Sequence, residues 1–202
     1  MHQGGYCFIN NAAIAAQILS QSGKRVAVID VDYHHGNGTQ DIFYSRSDVF
    51  YVSLHGDPNR AYPYFSGSSA ETGEGDGAGF TLNVPLPAGC DDATYTSALK
   101  QAMIRVAQFQ PDFVVVSLGI DTFMGDPLGD FCLSRDGYSS IGRIIGSLHV
   151  ATMYLARFFF SSLSLSFSYR TYPIGVVSSC FNCPLDSEAI PQVRHGGRLC
   201  CA

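Results

Sequence analysis

Hydrophobic positions along the chain follow two patterns that alternate. Short runs rich in β-branched residues, typical of strands covered on both faces, occur at residues 25–31, 48–55 and 112–121. Residues 11–19 and 94–109 instead place Ala, Leu and Ile at helical spacing, and Gly23 follows the first of these where a helix C-cap favours glycine. Strands that alternate with helices predict an α/β fold with a mostly parallel sheet and right-handed crossovers.

The stretch from residue 56 to residue 89 interrupts this alternation. It is rich in Gly, Pro and aromatic residues, and residues 71–80 read ETGEGDGAGF. Because glycine permits backbone conformations that other residues avoid, we expect a loop here. Long ordered loops in compact domains are often functional. A solvent-exposed flexible insert is the alternative interpretation.

The sequence changes character near Gly146. Beyond it come serine runs, no clear period and a cysteine-rich end. We therefore predict one domain at residues 1–146 and a poorly ordered Ser- and Cys-rich tail at residues 147–202. The end of the α/β pattern near this glycine is the basis for that boundary.

Two other interpretations of the tail are disfavoured. Residues 148–169 are apolar enough to suggest a membrane-spanning segment. Arg157 and many Ser and Thr residues interrupt them, which argues against one. Cys180 and Cys183 could begin a zinc knuckle, but no second ligand pair with suitable spacing follows. Unrelated free thiols are the expected state of these cysteines.

Composition narrows the class of protein. The 202 residues carry a net charge of −5 and are 46% hydrophobic, which suits one globular domain. The 12 basic residues form no stripe, so we expect no direct nucleic-acid binding. The first residues, MHQGGYCFINN, lack the features of a secretory signal, so we expect an intracellular location, cytoplasmic or nuclear. Seven cysteines, an odd number, argue against a closed disulfide framework.

The candidate chemistry lies where two predicted strands end. Residues 29–38 read IDVDYHHGNG, and the strand at 112–121 ends in SLGID. Ligands of open α/β sheets bind at the carboxyl ends of strands. An ion held by Asp32, His34 and Asp121 would have two carboxylates, one imidazole and open positions for water and a substrate oxygen, which is the arrangement of a catalytic metal site.

The spacing of these residues supports the grouping. Residues two apart at a strand end point to the same side, so Asp32 and His34 share a face, and Asp30 lies one step deeper on it. Asp30 is thus suited to a hydrogen bond with a ligand or to a monovalent cation. His35 points away and is expected to pack or cap. Each acid could alternatively cap a helix or bind a loop.

Four segments in this order resemble the zinc-dependent histone deacetylase superfamily, and within it the acetylpolyamine amidohydrolase and class II-like branch. They are GGYCFINNAAIAA, DVDYHHGNGTQDIFY, VSLHGDPNRAYPYFSG and GIDTFMGDPLG. The resemblance covers residues 4 to about 145. It implies the arginase/deacetylase fold, a parallel sheet flanked by helices, here expected to be incomplete.

The resemblance also implies the site. Zn²⁺ would be held by Asp32, His34 and Asp121, where it polarises an amide carbonyl and activates water. Two structural K⁺ sites are implied by the matching positions, which are Asp30, Ser53 and Leu54 for the first and Phe43, Arg46 and Val49 for the second. Aromatic residues would line the channel for the acyl-lysine or acyl-polyamine arm, with Tyr6, Tyr62, Tyr64 and Phe65 as candidates.

Two parts of the family pattern have no counterpart in this sequence. The histidine pair that acts as base and acid should precede GGYCF, where only His2 stands. The tyrosine that follows a Gly-Gly turn and binds the oxyanion is also missing, since Arg198 follows the pair Gly196–Gly197. We therefore expect a chain truncated at both ends of the family domain, with no residue assigned a catalytic role.

Two functions remain open from the sequence. One is a zinc-dependent amide hydrolase that removes acetyl or acyl groups from lysine side chains or polyamines. The other is a catalytically inactive, metal-binding fragment. The expected partners are an acyl-lysine protein or an acetylpolyamine, a membrane is not expected to be one, and a dimer is an open alternative.

Overall fold

The computed structural model describes residues 9–157 and 175–179, and a six-stranded sheet runs through them. Every neighbouring pair of strands is parallel, in the order β3-β2-β1-β4-β5-β6. The strands are β1 (Val26–Asp30), β2 (Val49–Gly56), β3 (Thr81–Leu86), β4 (Phe113–Gly119), β5 (Ala151–Arg157) and β6 (Gly175–Ser179). The predicted α/β fold with a parallel sheet is confirmed.

Four helices accompany the strands, and three of them begin at a polar cap. They are α1 (Asn11–Gln21), α2 (Asn37–Phe43), α3 (Asp92–Phe109) and α4 (Arg135–Gly146). Side-chain oxygens of Asn10, Asp91 and Ser134 accept hydrogen bonds from the first-turn N–H groups of α1, α3 and α4. After α1, Gly23 has a φ of +80°, the left-handed conformation expected of a glycine at a helix end.

The helices cover both faces of the sheet. On one face, α1 and Phe43 of α2 pack against Val26, Val28 and Val115. On the other, α3 and α4 pack against Ala27, Ile29 and neighbouring strand residues. Every residue of β1 and β2 is buried, as the continuous hydrophobic runs predict.

Residues 71–80 hold only a short 3₁₀ helix at Gly75–Gly77, in agreement with the predicted loop, but the stretch from residue 56 to residue 89 is not all loop. Residues Thr81–Leu86 form β3, which pairs with β2. Among the described residues β3 is an edge strand, where a proline that cannot donate to the ladder is tolerated, and Pro85 pairs in register with His55. The strand is short, contains Pro85 and is surrounded by glycines, so the pattern of hydrophobic positions does not indicate it.

The sheet includes a strand beyond residue 146, the predicted domain boundary. Strand β5 pairs with β4 from Phe113↔Ala151 to Gly119↔Arg157. Within the described ranges, no helix has the length and hydropathy needed to cross a membrane, and the first half of the apolar stretch 148–169 is largely strand. Most of the Ser- and Cys-rich tail that is predicted to be poorly ordered, together with Tyr6 and His2, lies outside the described residues.

Candidate metal centre

The candidate site lies at the carboxyl edge of the sheet, beyond two neighbouring strands. β1 and β4 pair from Val26↔Phe113 to Asp30↔Ser117, so both strands end at the same edge. Asp32 and His34 follow β1, and Asp121 follows β4. All three residues lie within four positions of a strand end, which keeps their side chains close to a rigid scaffold.

The three side chains converge. His34 Nδ1 lies 2.7 Å from Asp121 Oδ2 and 3.4 Å from Asp32 Oδ1. One ligand atom from each of the three residues lies within 4.8 Å of the others. The side chain of His34 is 27% exposed and those of the two acids are 15% exposed, so the cluster is accessible from solvent without being a surface feature.

Backbone N–H groups orient the two carboxylates. The N–H of Tyr33 donates to Asp121 Oδ1 at 3.0 Å, and the N–H of His34 donates to Asp32 Oδ1 at 2.8 Å. Each carboxylate is therefore held by the main chain that follows β1. This arrangement leaves Asp121 Oδ2 directed at the imidazole.

The pKa shifts of the cluster favour a positive charge between its two carboxylates. Burial opposes protonation of His34, but its bonds to Asp121 and Asp32 outweigh burial and raise its pKa to about 9. Burial raises the pKa of Asp121, and the neighbouring charge of Asp32 adds to this, while the bond from His34 opposes it. A positive charge on the imidazole reduces the repulsion between the two carboxylates, and a divalent cation bound by the three residues would do the same. Two carboxylates and one imidazole are ligands that Zn²⁺ accepts.

A glycine permits the close approach of the two strands' loops. Gly119 ends β4, and an added Cβ would lie 2.7 Å from Asp121 Oδ1 and 2.5 Å from the carboxylate carbon of Asp32. Any side chain here would displace the carboxylates. The three side chains can therefore adopt this arrangement only if residue 119 has no side chain.

A buried polar network lies behind the cluster, at the ends of β1 and β2. Asp30 pairs in register with Ser53, and Asp30 Oδ1 accepts from the N–H of Asp32 at 3.2 Å. Ser53 Oγ lies 2.8 Å from His55 Nδ1, and His55 Nε2 donates to the carbonyl of Gly67 at 2.9 Å. Asp30, Ser53 and Leu54, the residues of the first expected K⁺ site, are therefore neighbours and all buried.

His35 is part of this network and is not directed at the three-residue cluster. Its ring lies 4.5 Å from that of His55, and its Nδ1 is 3.4 Å from Ser53 Oγ. Burial lowers the pKa of His35 to about 3, with the neighbouring His55 contributing, and burial lowers the pKa of His55 as well. Both imidazoles are consequently neutral.

The residues of the second expected K⁺ site lie together at the turn between α2 and β2. The carbonyl of Phe43 accepts from the N–H of Arg46 at 3.0 Å, and Val49 begins β2. The Arg46 side chain donates to Asp48 through Nε at 2.9 Å and Nη2 at 2.6 Å, and it also reaches Gln17 of α1. Arg46 thereby ties this turn to α1.

Of the aromatic residues expected to line a channel, three fall among the described residues. The Tyr62 ring lies 6.2 Å from that of His34, and Tyr64 packs edge-on against Tyr62 at 6.2 Å. Phe65 is 92% exposed. Tyr64 and Phe65 have φ values of 54° and 58°, a conformation that costs a non-glycine residue about 1–3 kcal/mol and is concentrated at functional sites.

Sequence reasoning missed several residues that hold this site. Tyr33 donates through its backbone to Asp121, Gly119 makes room for the acids, and His55 anchors Gly67. For His55 a signal was present in the sequence. A histidine within a hydrophobic strand is expected to be buried, and a buried imidazole needs hydrogen-bond partners. The roles of Tyr33 and Gly119 depend on which strands are adjacent, and no local pattern carries that information.

Fold and cluster together define a class: a parallel α/β domain with a candidate acid-histidine-acid cation site at the carboxyl edge of its sheet. The sequence matches the family model described as "Histone deacetylase domain" over residues 1–157. The chain therefore belongs to the histone deacetylase family.

Individual relatives agree with this assignment. The chain is 52% identical over 155 residues to "Acetylpolyamine amidohydrolase 2" of Pseudomonas aeruginosa, and 52% identical over 145 residues to "Acetylpolyamine amidohydrolase" of Mycoplana ramosa. These alignments cover 76% and 71% of the chain but 45% and 42% of the relatives. The crystal structure of acetylpolyamine aminohydrolase from Burkholderia pseudomallei is similar with a TM-score of 0.74 and 44% identity, over 76% of the chain and 45% of that protein. The chain thus spans less than half the length of these relatives.

Proposed function

We propose that the chain carries the metal-binding part of a zinc-dependent amide hydrolase that removes acetyl or acyl groups from lysine side chains or polyamines. The observation that carries this proposal is the convergence of Asp32, His34 and Asp121 within 4.8 Å in a chain of the histone deacetylase family. Relatives named acetylpolyamine amidohydrolases at about half identity favour a polyamine carrier over a protein lysine.

Each residue of the site has a distinct part in this proposal. Asp32, His34 and Asp121 hold Zn²⁺, which when bound supplies a Lewis acid for the amide carbonyl and lowers the pKa of water. These types of ligand atoms are also suited to Fe²⁺ or Co²⁺. Asp30, Ser53 and Leu54, and separately Phe43, Arg46 and Val49, are proposed to bind K⁺ and stiffen the loops.

The aromatic residues are proposed to receive the substrate arm. Tyr62 stands beside His34, and Tyr64 and Phe65 continue outward from it. Aromatic faces attract both the methylene chain and the ammonium groups of a polyamine or lysine. Tyr6 is proposed for the same surface.

A second candidate function is metal binding without turnover. The 202 residues contain one His-His pair, His34–His35, and His35 is a buried neutral residue directed away from the cluster. The sequence has no histidine pair before GGYCF and no tyrosine after Gly196–Gly197, the two family features expected to supply the general base and the oxyanion donor. Missing proton transfer costs about 10²- to 10⁴-fold in rate and a missing oxyanion donor about 10²- to 10³-fold, so we expect the 202-residue chain by itself to bind zinc with little or no turnover.

Zinc content and turnover of a fluorogenic acetyl-lysine amide and of an acetylpolyamine, measured on the purified chain, test both functions. Stoichiometric zinc that is lost in His34→Ala and in Asp121→Ala is expected, with His2→Ala as the control that keeps it. Zinc retained in the double variant of His34 and Asp121 would refute the ligand assignment. Turnover by the chain alone would refute the second candidate function.

A further inference from the structure

Tyr33 lies between the two loops that present the metal ligands. It is buried, with 6% of its surface exposed, and its ring packs edge-on against His34 at 4.9 Å and against Phe131 at 4.8 Å between centroids. The end of β2 makes room for it, because an added Cβ on Gly56 would lie 2.8 Å from Tyr33 Cζ. The ring is therefore enclosed by His34, Phe131 and Gly56.

The backbone and the hydroxyl of Tyr33 bind the first and the last residue of the loop 121–130. Its backbone N–H donates to Asp121 Oδ1 at 3.0 Å, and its hydroxyl donates to Asp130 Oδ1 at 2.9 Å. The carbonyl of Asp130 in turn accepts from the N–H of Gly89 at 2.8 Å, which fixes Asp130 to the segment before α3. The loop 121–130 is thus closed onto the β1 loop at two points.

We propose that Tyr33 is a positioning residue that holds Asp121 in its metal-binding orientation, with Asp130 as the anchor of the phenol. This inference rests on the proposed metal function. Oδ1 of Asp121 is occupied by the Tyr33 N–H, so Oδ2 is the oxygen left for His34 and the cation. Loss of the phenol's anchor lets the Tyr33 backbone shift away from Asp121, and that carboxylate then loses its fixed rotamer.

The test measures Zn²⁺ affinity by competition with a chromophoric chelator, on variants that circular dichroism shows to be folded. Tyr33→Phe and Asp130→Ala each remove one partner of the bond, and Asp130→Asn keeps an acceptor oxygen. Tyr95→Phe is the matched control, because Tyr95 also packs against Phe131 but its buried hydroxyl has no hydrogen-bond partner among the described residues. Asp130 is exposed, so its variants are expected to fold even if those of Tyr33 are less stable.

We expect Kd for Zn²⁺ to rise about 10-fold in Tyr33→Phe and in Asp130→Ala, and to rise no further in the double variant, because one bond is lost in all three. Asp130→Asn should stay close to the unaltered chain, and Tyr95→Phe should not change Kd. An unchanged Kd in Tyr33→Phe and Asp130→Ala, or a double variant near 100-fold, would overturn the positioning role alone. Absence of Zn²⁺ binding in the unaltered chain would overturn the proposed function together with this inference.

Discussion

Replacing Gly119 with alanine adds a methyl group between the carboxylates of the candidate metal centre. The added carbon would lie 2.7 Å from Asp121 Oδ1 and 2.5 Å from the carboxylate carbon of Asp32. Ordinary contacts between such atoms are about 3.5 Å, so each carboxylate would have to move by at least about 0.8–1 Å, and Asp32 Oδ2, the nearest atom to the added carbon, by more. Both are held by backbone N–H groups and cannot move freely.

The magnitude follows from the rigidity of the surroundings. Extra carbon in a packed region costs about 1–3 kcal/mol, which corresponds to a fall in Tm of about 2–12 °C for a chain of this size. Displaced ligands should weaken Zn²⁺ binding by at least about 10-fold. The variant Gly119→Ala should therefore lose both stability and metal affinity.

The assay combines urea unfolding with competitive Zn²⁺ titration of the same samples. Gly146→Ala is the matched control, since an added Cβ there meets nothing within 4 Å and the residue ends helix α4. That control should keep its metal affinity and gain up to about 1 kcal/mol from the reduced entropy of the unfolded chain. Equal Zn²⁺ affinity and equal urea midpoints for Gly119→Ala and the unaltered chain would refute the reasoning.

Three further predictions follow from the described contacts. Asp91→Ala removes the side-chain cap of α3 and should lower the urea midpoint of unfolding. Asp91→Asn should restore most of that midpoint, and an equal fall in both variants would contradict capping. Burial raises the pKa of the Cys90 thiol to about 11, so at pH 8 its alkylation, followed by mass spectrometry, should be about 100-fold slower than that of an ordinary cysteine and should accelerate as pH rises towards 11; equal rates for Cys90 and the exposed Cys132 would contradict this. Free Zn²⁺ at about 100 times Kd should stabilise the chain by about 2.7 kcal/mol and raise Tm by about 5–11 °C, reversibly with a chelator; the same rise in His34→Ala would place the metal elsewhere.

The central strands were predictable from the sequence because their signal is local. β1, β2 and β4 are continuous hydrophobic runs, and every residue of β1 and β2 is buried. β3 was missed because its alternation is short and contains Pro85, which only an edge position tolerates. Its strand character comes from pairing with β2, and that pairing is a property of the folded chain.

The candidate site was predictable to the same limited extent. The grouping of Asp32 and His34 follows from their spacing, and adding Asp121 follows from the rule that parallel strands end at one edge. The distances within the candidate cation site, 2.7 Å and 3.4 Å from His34 to the two acids, required the structure. Tyr33 and Asp130 are 97 residues apart, and no periodicity links them.

The position of the candidate metal centre within the sheet explains why its geometry can be held so closely. The three candidate ligands follow β1 and β4, which are the two central strands of the six described. Helices cover these strands on both faces, so their ends cannot shift without disturbing the core. The loop that carries Tyr62, Tyr64 and Phe65 lies outside this covered part of the sheet. It is held at Gly67, whose carbonyl accepts from His55 and whose N–H donates to Glu71. Metal affinity should therefore respond to packing changes in β1 and β4, whereas substrate preference should respond to changes in the loop, and the two properties can be altered separately.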